Sequence, residues 1–234
     1  MKTDVIEVGG YLALSYGQVV LASSLLIVSG LLSVMLGLRL GRAMMLGASR
    51  AAIQLLLVGV VLRHVFHATS PWPVLAAAAV MIVVAGWSAL SRAPRRYSGM
   101  FVDAVGAVAI CALATSIFAV AIVLGVRPWW SARYWIPLLG MVLGNVLNGL
   151  SIGLERFLEA IVGRAADIEQ RLALGATRWE AVLPMARTAI RAGCIPTINT
   201  LSVAGIVSLP GMMTGQLLGG VDPSQAVRYQ LVIL

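Results

Sequence analysis

Charge is scarce in this sequence. Charged residues make up 11% of the 234 residues and hydrophobic residues 60%, whereas a soluble domain is roughly a quarter charged and half apolar. This composition excludes an ordinary water-soluble domain and predicts an integral membrane protein.

Cysteine, histidine and lysine are also rare. Cys111 and Cys194 fall within or beside apolar runs, so we expect buried thiols and no disulfide framework. The one lysine, Lys2, lies in no glycine-rich turn, which excludes the phosphate-binding Walker A loop of an ATPase. The sequence has no His-Glu-x-x-His motif, no paired aspartates in an apolar run and no serine with a histidine at similar depth. It therefore predicts no enzyme and no catalytic residue.

Long uncharged runs predict membrane-spanning helices. Each run reaches the roughly 20 residues that a helix needs to cross hydrocarbon and is too long for a strand of an outer-membrane barrel. The runs are 8–38, 68–91, 104–126, 134–154 and 192–221. A further span runs from about 44 to 66 with Arg50 towards one end, and the last six residues predict the start of a seventh. We therefore predict one all-α polytopic transmembrane domain over residues 1–234, with about six complete transmembrane helices.

The distribution of arginine predicts the orientation of the chain. Three alternate loops, 39–50, 91–102 and 155–191, hold twelve of the seventeen cations. Cytoplasmic loops carry an excess of Lys and Arg, and aromatic residues such as those at 129–135 collect at the membrane interface. We therefore expect an external amino terminus and a multi-pass protein of the inner cell membrane. No leader with a cleavage site precedes the first run, so we expect it to be retained as a span.

Segment 155–191 is the longest polar stretch and carries a helical pattern. Its apolar residues recur three or four positions apart from Leu158 to Leu172, which indicates an amphipathic helix. Gly175 is a plausible end for this helix, and Thr177 with Glu180 forms a capping-box pattern that predicts a second, short helix before Pro184. Geometry alone leaves open whether this helical hairpin lies on the membrane surface or binds a partner protein.

Segment 207–220 places helix-breaking and hydrogen-bonding residues inside a predicted span. Such residues are tolerated at membrane depth where the backbone is buried in protein or lines a cavity, and broken helices mark substrate sites in many transporters. One hypothesis is a translocation path or gate, and the alternative is a packing kink. The candidate residues, with polar residues of neighbouring segments, are Asn145, Asn148, Asn199, Ser208, Pro210, Gly211, Met212, Met213, Thr214 and Gln216.

The sequence predicts no metal site with defined ligands. His64 and His67 are three residues apart in an expected external loop, where they are weak candidates for a divalent ion or simply a solvated pair. The adjacent thioethers of Met212 and Met213 would suit a soft ion such as Cu(I) rather than iron, and packing in the core or lipid is the simpler interpretation.

The hairpin resembles the EAA loop by which ABC-transporter permeases dock on their ATPase subunit. The resemblance is carried by Glu169, Gly175 and Leu183-Pro184, although Gln170-Arg171 replace the usual Ala-Ala and the gap from the glycine to Leu-Pro is shorter. The coupling residues that it implies are Glu169, Gly175, Ala176, Thr177, Leu183 and Pro184.

Beyond this segment, most of the sequence is similar to the small ABC permease family that is linked to bacterial iron export and, in plants, to aluminium tolerance. The most specific matches are Ile195-Pro196-Thr197, the run Ser208 to Gly215, and Tyr229-Gln230. The resemblance implies two copies of this permease with two copies of a separate ATPase, which would bind ATP and Mg, while this chain would bind no cofactor. It also implies export of metal ions, with iron as the favoured cargo. The +8 net charge lies in the loops between spans, so we expect no nucleic-acid partner.

An alternative function stays open beside this one. An ATP-independent secondary carrier or channel for a small solute would fit the same spans. The absence of an intramembrane carboxylate or histidine relay argues against a proton-coupled carrier. The residues themselves do not identify the cargo, and an organic solute or a nucleotide sugar is not excluded.

Overall fold

The computed structural model describes residues 7–8, 11–12, 16–37, 41–67, 70–91 and 96–233. In these residues the fold is all-α, as predicted, apart from one two-stranded hairpin near the amino terminus. Contacts divide the chain into two compact units. The first consists of residues 1–67 with 214–226, and the second of residues 68–213 with 227–234.

The first unit contains a short hairpin and two long helices. Strands β1 (Glu7–Val8) and β2 (Tyr11–Leu12) pair antiparallel. Helix α1 (Tyr16–Met35) and helix α2 (Gly41–Phe66) pack together. The predicted span 8–38 is therefore too long, because its first residues include part of the hairpin and the helix begins only at Tyr16. Arg50 lies well inside α2 rather than near its end.

The second unit is built on three apolar helices. They are α3 (Pro71–Ser91), α4 (Met100–Ile117), which continues as a π-helix over Phe118–Val123, and α5 (Ala132–Gly163). At one end of this layer Leu90, Met100 and Ala104 form a buried cluster. Leu150, Leu154 and Leu158 of α5 pack against that cluster. Apolar side chains of all three helices thus pack together at this end of the layer.

Two polar contacts fix these helices to one another and to the loop before α4. The indole N–H of Trp135 donates to the hydroxyl of Ser116 at 3.1 Å, and both side chains are buried. The Tyr97 hydroxyl donates to the Asp103 carboxylate at 2.9 Å, and this hydrogen bond raises the pKa of Tyr97.

Four helices of the described chain are long and apolar enough to cross a membrane. These spans are Ala43–Phe66, Pro71–Ser91, Met100–Val123 and Ala132–Gly163. They correspond to four of the predicted spans, with α5 running nine residues beyond its predicted end at 154. The predicted span 192–221 is not one helix, because the backbone leaves helical geometry after Val203.

The polar segment is organised differently from the prediction. The expected amphipathic helix is interrupted at Arg164, where α5 ends and α6 (Ala165–Ala173) begins. The second helix is not short, since α7 (Arg178–Val203) continues through Pro184 into the predicted last span. The helices that follow are α8 (Gly211–Leu218) and α9 (Pro223–Ile233). Helix α7 packs extensively along α5, and tertiary packing of this kind can outweigh the local preference of a proline such as Pro184 to break a helix.

Candidate transport site

The most extensive helix contact in the described part of the chain joins α5 and α7. At their crossing the backbones touch directly: a β-carbon built on Gly193 would lie 2.7 Å from the carbonyl oxygen of Gly149. One turn along, a β-carbon on Gly153 would lie 3.3 Å from the carbonyl oxygen of Ala189. Small residues permit this approach, as in other membrane helix pairs.

A polar cleft lies next to this crossing, between the same two helices. Its volume is about 60 Å³, and it is lined by Asn145, Asn148, Pro196, Thr197, Thr200 and Leu201. The structure therefore brings together two of the predicted path residues, Asn145 and Asn148, with two threonines of α7. The asparagines are exposed on this chain, and amides at membrane depth are costly against lipid.

The chemistry of the cleft is that of neutral oxygen and nitrogen groups. The amides of Asn145 and Asn148 offer both donors and acceptors. The hydroxyl of Thr200 donates to the carbonyl of Pro196 at 2.9 Å. Because no charged residue lines the cleft, the arrangement suits water, a hydrated ion or a polar solute.

An apolar groove adjoins the crossing and is much larger. It has a volume of about 440 Å³, and the small residues of both helices leave it open. Its lining residues are Gly149, Leu150, Gly153, Leu154, Phe157, Ala186, Ala189, Ile190, Gly193 and Cys194. Cys194, predicted to be a buried thiol, is exposed, as is Cys111. The prediction of burial was wrong for both cysteines, because residues of an apolar span can also lie on the outer surface of the helix bundle.

The remaining predicted path residues lie elsewhere. Asn199 is exposed on α7 and is not among the residues lining the cleft. Ser208 lies in the interruption 204–210, where its carbonyl accepts from the N–H of Gly205, which has a φ of +82°. Pro210 immediately precedes α8, and the other predicted residues lie within that helix. They are Gly211, Met212, Met213, Thr214 and Gln216.

Gly175 and its neighbours form a compact turn between α6 and α7. Gly175 has a φ of +93°, a conformation that other residues rarely adopt. The N–H of Gly175 donates to the carbonyl of Leu172, and that of Ala176 donates to the carbonyl of Arg171, each at 3.0 Å. These bonds close the end of α6. Exposed Glu169 lies on α6.

The predicted capping box starts α7. The backbone N–H of Thr177 donates to the Glu180 carboxylate at 2.8 Å, and the Glu180 N–H donates to the Thr177 hydroxyl at 3.3 Å. The first of these bonds holds the pKa of Glu180 below its usual value. Leu183 and Pro184 lie inside α7 rather than after it.

The histidine pair lies at the end of α2. His64 lies in the last turn of α2 rather than in a loop, and its Nδ1 is 3.0 Å from the carbonyl oxygen of Val60. His67 follows in the next turn. Within the described ranges, no group of three or more His, Cys, Asp or Glu residues is placed to hold a metal ion.

Sequence reasoning missed the glycines of the crossing and the threonines of the cleft. Gly149 and Gly153 form a Gly-x-x-x-Gly pattern, which is a recognised signal for close packing of membrane helices. Thr197 and Thr200 fall three apart, the spacing that places two residues on one helix face. Both signals were available in the sequence.

Comparison with known proteins gives the family. Residues 16–234 match the model of the Uncharacterised protein family (UPF0014). The chain belongs to this family. No solved structure matches it significantly.

Three relatives show what this chain is similar to. The UPF0014 membrane protein slr1647 of Synechocystis is 39% identical over 85% of this chain and 76% of its own length. The Probable iron export permease protein FetB of Escherichia coli is 31% identical over 91% and 81%. Protein ALUMINUM SENSITIVE 3 of Arabidopsis thaliana is 31% identical over 93% and 79%. These matches confirm the predicted family resemblance and, with the span-length helices, the location as a multi-pass protein of the cell membrane.

Proposed function

We propose that this chain is the membrane-spanning permease subunit of an ATP-driven ABC exporter of metal ions, with iron as the favoured cargo. It would act as two copies together with two separate ATPase chains, which bind ATP and Mg. The similarity to the Probable iron export permease protein FetB supports a permease and suggests the cargo.

One structural observation carries the proposal. Helix α7 begins at the Thr177 cap, next to the turn at Gly175, and its other half lines the polar cleft. Thr177 and Thr197 are thus about 30 Å apart along one continuous helix. If an ATPase displaced the turn between α6 and α7, the movement would pass along α7 to the wall of the cleft.

The crossing of α5 and α7 would serve as the pivot of this movement. Gly193 and Gly149 lie between the hairpin and the cleft, and their backbones are in contact without intervening side chains. Packed elements of this kind have discrete arrangements, so that a local shift is amplified into a two-state change. Alternating access would follow from tilting α7 against α5.

Exposed polar groups favour a second copy of the permease. Asn145 and Asn148 face outwards from the single chain, and such amides are more stable against protein or water than against lipid. Pairing of this face in a homodimer would enclose the two clefts in a common path. With the amino terminus outside, as the charge distribution predicts, the hairpin would be cytoplasmic.

Reconstitution tests the proposal most directly. The permease would be co-expressed with a candidate ABC ATPase from the same organism, purified through a tag on the permease and assayed for ATP hydrolysis in liposomes. We expect co-purification and hydrolysis that a transported metal stimulates. A stable permease that purifies alone would favour the ATP-independent carrier or channel.

Charge reversal tests the hairpin separately. Glu169→Arg should abolish ATPase coupling while the spans stay folded, because Glu169 is exposed on α6 and does not contribute to the core. Glu159→Arg is the matched control, since Glu159 is an exposed acid of the same polar segment, on α5 and paired with Arg156 at 3.6 Å, but is not one of the predicted coupling residues. Normal ATPase coupling in both variants would contradict the resemblance of this segment to an EAA loop.

A further inference from the structure

A third cavity lies at the loop between the π-helix and α5. It has a volume of about 620 Å³ and belongs to the same unit as both helices. Its lining residues are Ala121, Val126, Arg127, Pro128, Trp129 and Trp130. Since the loop joins the spans Met100–Val123 and Ala132–Gly163, this cavity lies where the chain leaves the membrane.

The walls of the cavity are fixed by hydrogen bonds and ring contacts. The N–H of Val126 donates to the carbonyl of Val120 at 3.1 Å. The Trp129 ring packs edge to face against Trp130 at 5.9 Å and against Trp135 at 5.5 Å between centroids. Trp135 is only 1% exposed and is itself held by Ser116. The cavity is therefore a preformed feature of the loop.

The charge of the cavity is entirely positive. Arg127 is the one ionisable residue in the lining. Segment 118–135 contains a second cation, Arg133, and no Asp or Glu. No ion pair of Arg127 is recorded among the described residues. Its guanidinium thus keeps its donors available for an anion from outside the chain.

We propose that this cavity binds a phosphate group that carries an apolar substituent, with Arg127 holding the phosphate. Guanidinium groups match phosphate oxygens in bidentate geometry. The apolar substituent would pack on Val126 and the indole rings, which are suited to the boundary between headgroup and hydrocarbon. The position at the ends of two spans, with tryptophans at headgroup depth, favours an anionic phospholipid over a soluble phosphate ester.

Brominated lipids test the site through quenching of tryptophan fluorescence. The permease would be reconstituted in phosphatidylcholine vesicles containing brominated phosphatidylglycerol or, in parallel, brominated phosphatidylcholine. We expect quenching at a lower fraction of phosphatidylglycerol, and Arg127→Gln should weaken this preference about tenfold. Arg133→Gln is the matched control and should retain the wild-type preference, because Arg133 does not line the cavity.

Two further measurements separate the possible outcomes. Arg127→Lys keeps the charge but loses the planar fork, so it should fall between wild type and Arg127→Gln. Relief of quenching by glycerol phosphate added to the water would assign the phosphate site to soluble esters instead. Equal quenching by both lipids in the wild type would overturn the proposal, as would a full preference in Arg127→Gln with unchanged near-ultraviolet circular dichroism.

Discussion

Gly193 of α7 lies against Gly149 of α5 so closely that a β-carbon on either would meet the carbonyl oxygen of the other, at 2.7 Å from Gly193 and 3.0 Å from Gly149. No side chain separates the two helices at this point. The distance between α5 and α7, and with it the width of the neighbouring cleft, is therefore set by backbone contact.

Substitution at this crossing should be costly. Gly193→Ala forces α7 away from α5, and we expect a loss of about 1–3 kcal/mol in stability, as for overpacked cores. The thermal midpoint of the purified permease in detergent measures this. Gly144→Ala is the control on α5, because a β-carbon there has nothing within 4 Å; it should be neutral or slightly stabilising. Equal midpoints for the two variants would contradict the close crossing.

Two buried serines predict opposite responses to the same substitution. Ser116→Ala leaves the indole N–H of Trp135 without its acceptor, which should cost about 1–3 kcal/mol. Ser151→Ala removes a buried hydroxyl oxygen that has no hydrogen-bond partner recorded in the described part of the chain, and so should be neutral or stabilising. Thermal midpoints of the two variants, measured side by side, check both. A larger loss for Ser151→Ala would show that this hydroxyl has a partner.

The capping box predicts a dependence on pH. Because the pKa of Glu180 is lowered in the folded protein, its contribution is present above the ordinary glutamate pKa and is lost as the pH falls through the lowered value. Hydrogen exchange of the first turn of α7 should therefore accelerate in acid relative to the intrinsic rate. Glu180→Gln should show this accelerated exchange already at neutral pH. Thr177→Ala should cost about 1 kcal/mol of helix stability.

The matched comparison for the cap is a threonine farther along α7. Thr188 donates to the carbonyl of Pro184 at 3.0 Å but caps no helix end. Thr188→Ala should leave exchange of the first turn unchanged. If the first turn of Glu180→Gln exchanged at the wild-type rate at every pH, the capping box would not stabilise the start of α7.

The cleft predicts which asparagines matter for transport. Asn148→Leu should reduce metal-stimulated transport at least about tenfold while the protein stays folded, because it removes a lining amide. Asn199→Leu, on the same helix as the cleft threonines but outside the lining, should leave transport near the wild-type rate. Uptake into inverted vesicles measures both. If Asn199→Leu reduced transport more than Asn148→Leu, the transport path would lie on another face of α7.

Much of the fold was predictable because long apolar runs have one stable arrangement in a membrane. The spans over α2 to α5 follow from hydropathy, and the Thr177 to Glu180 pattern marks the start of α7 correctly. The end of that helix was not predictable from Pro184, since local propensity disfavours a proline that tertiary packing accepts. The interruption at Arg164 was missed, although Gly163 directly precedes it and ends α5.

The sequence by itself determined the class of protein, its membrane helices and its lack of a nucleotide-binding lysine, because these depend on composition and on patterns within one segment. Only the tertiary structure decided that Asn145 and Asn148 face Thr197 and Thr200 while Asn199 does not line the cleft. The physical reason is that a cleft requires two helices in register. That register is set by the backbone contact of Gly149 with Gly193, which neither segment specifies alone.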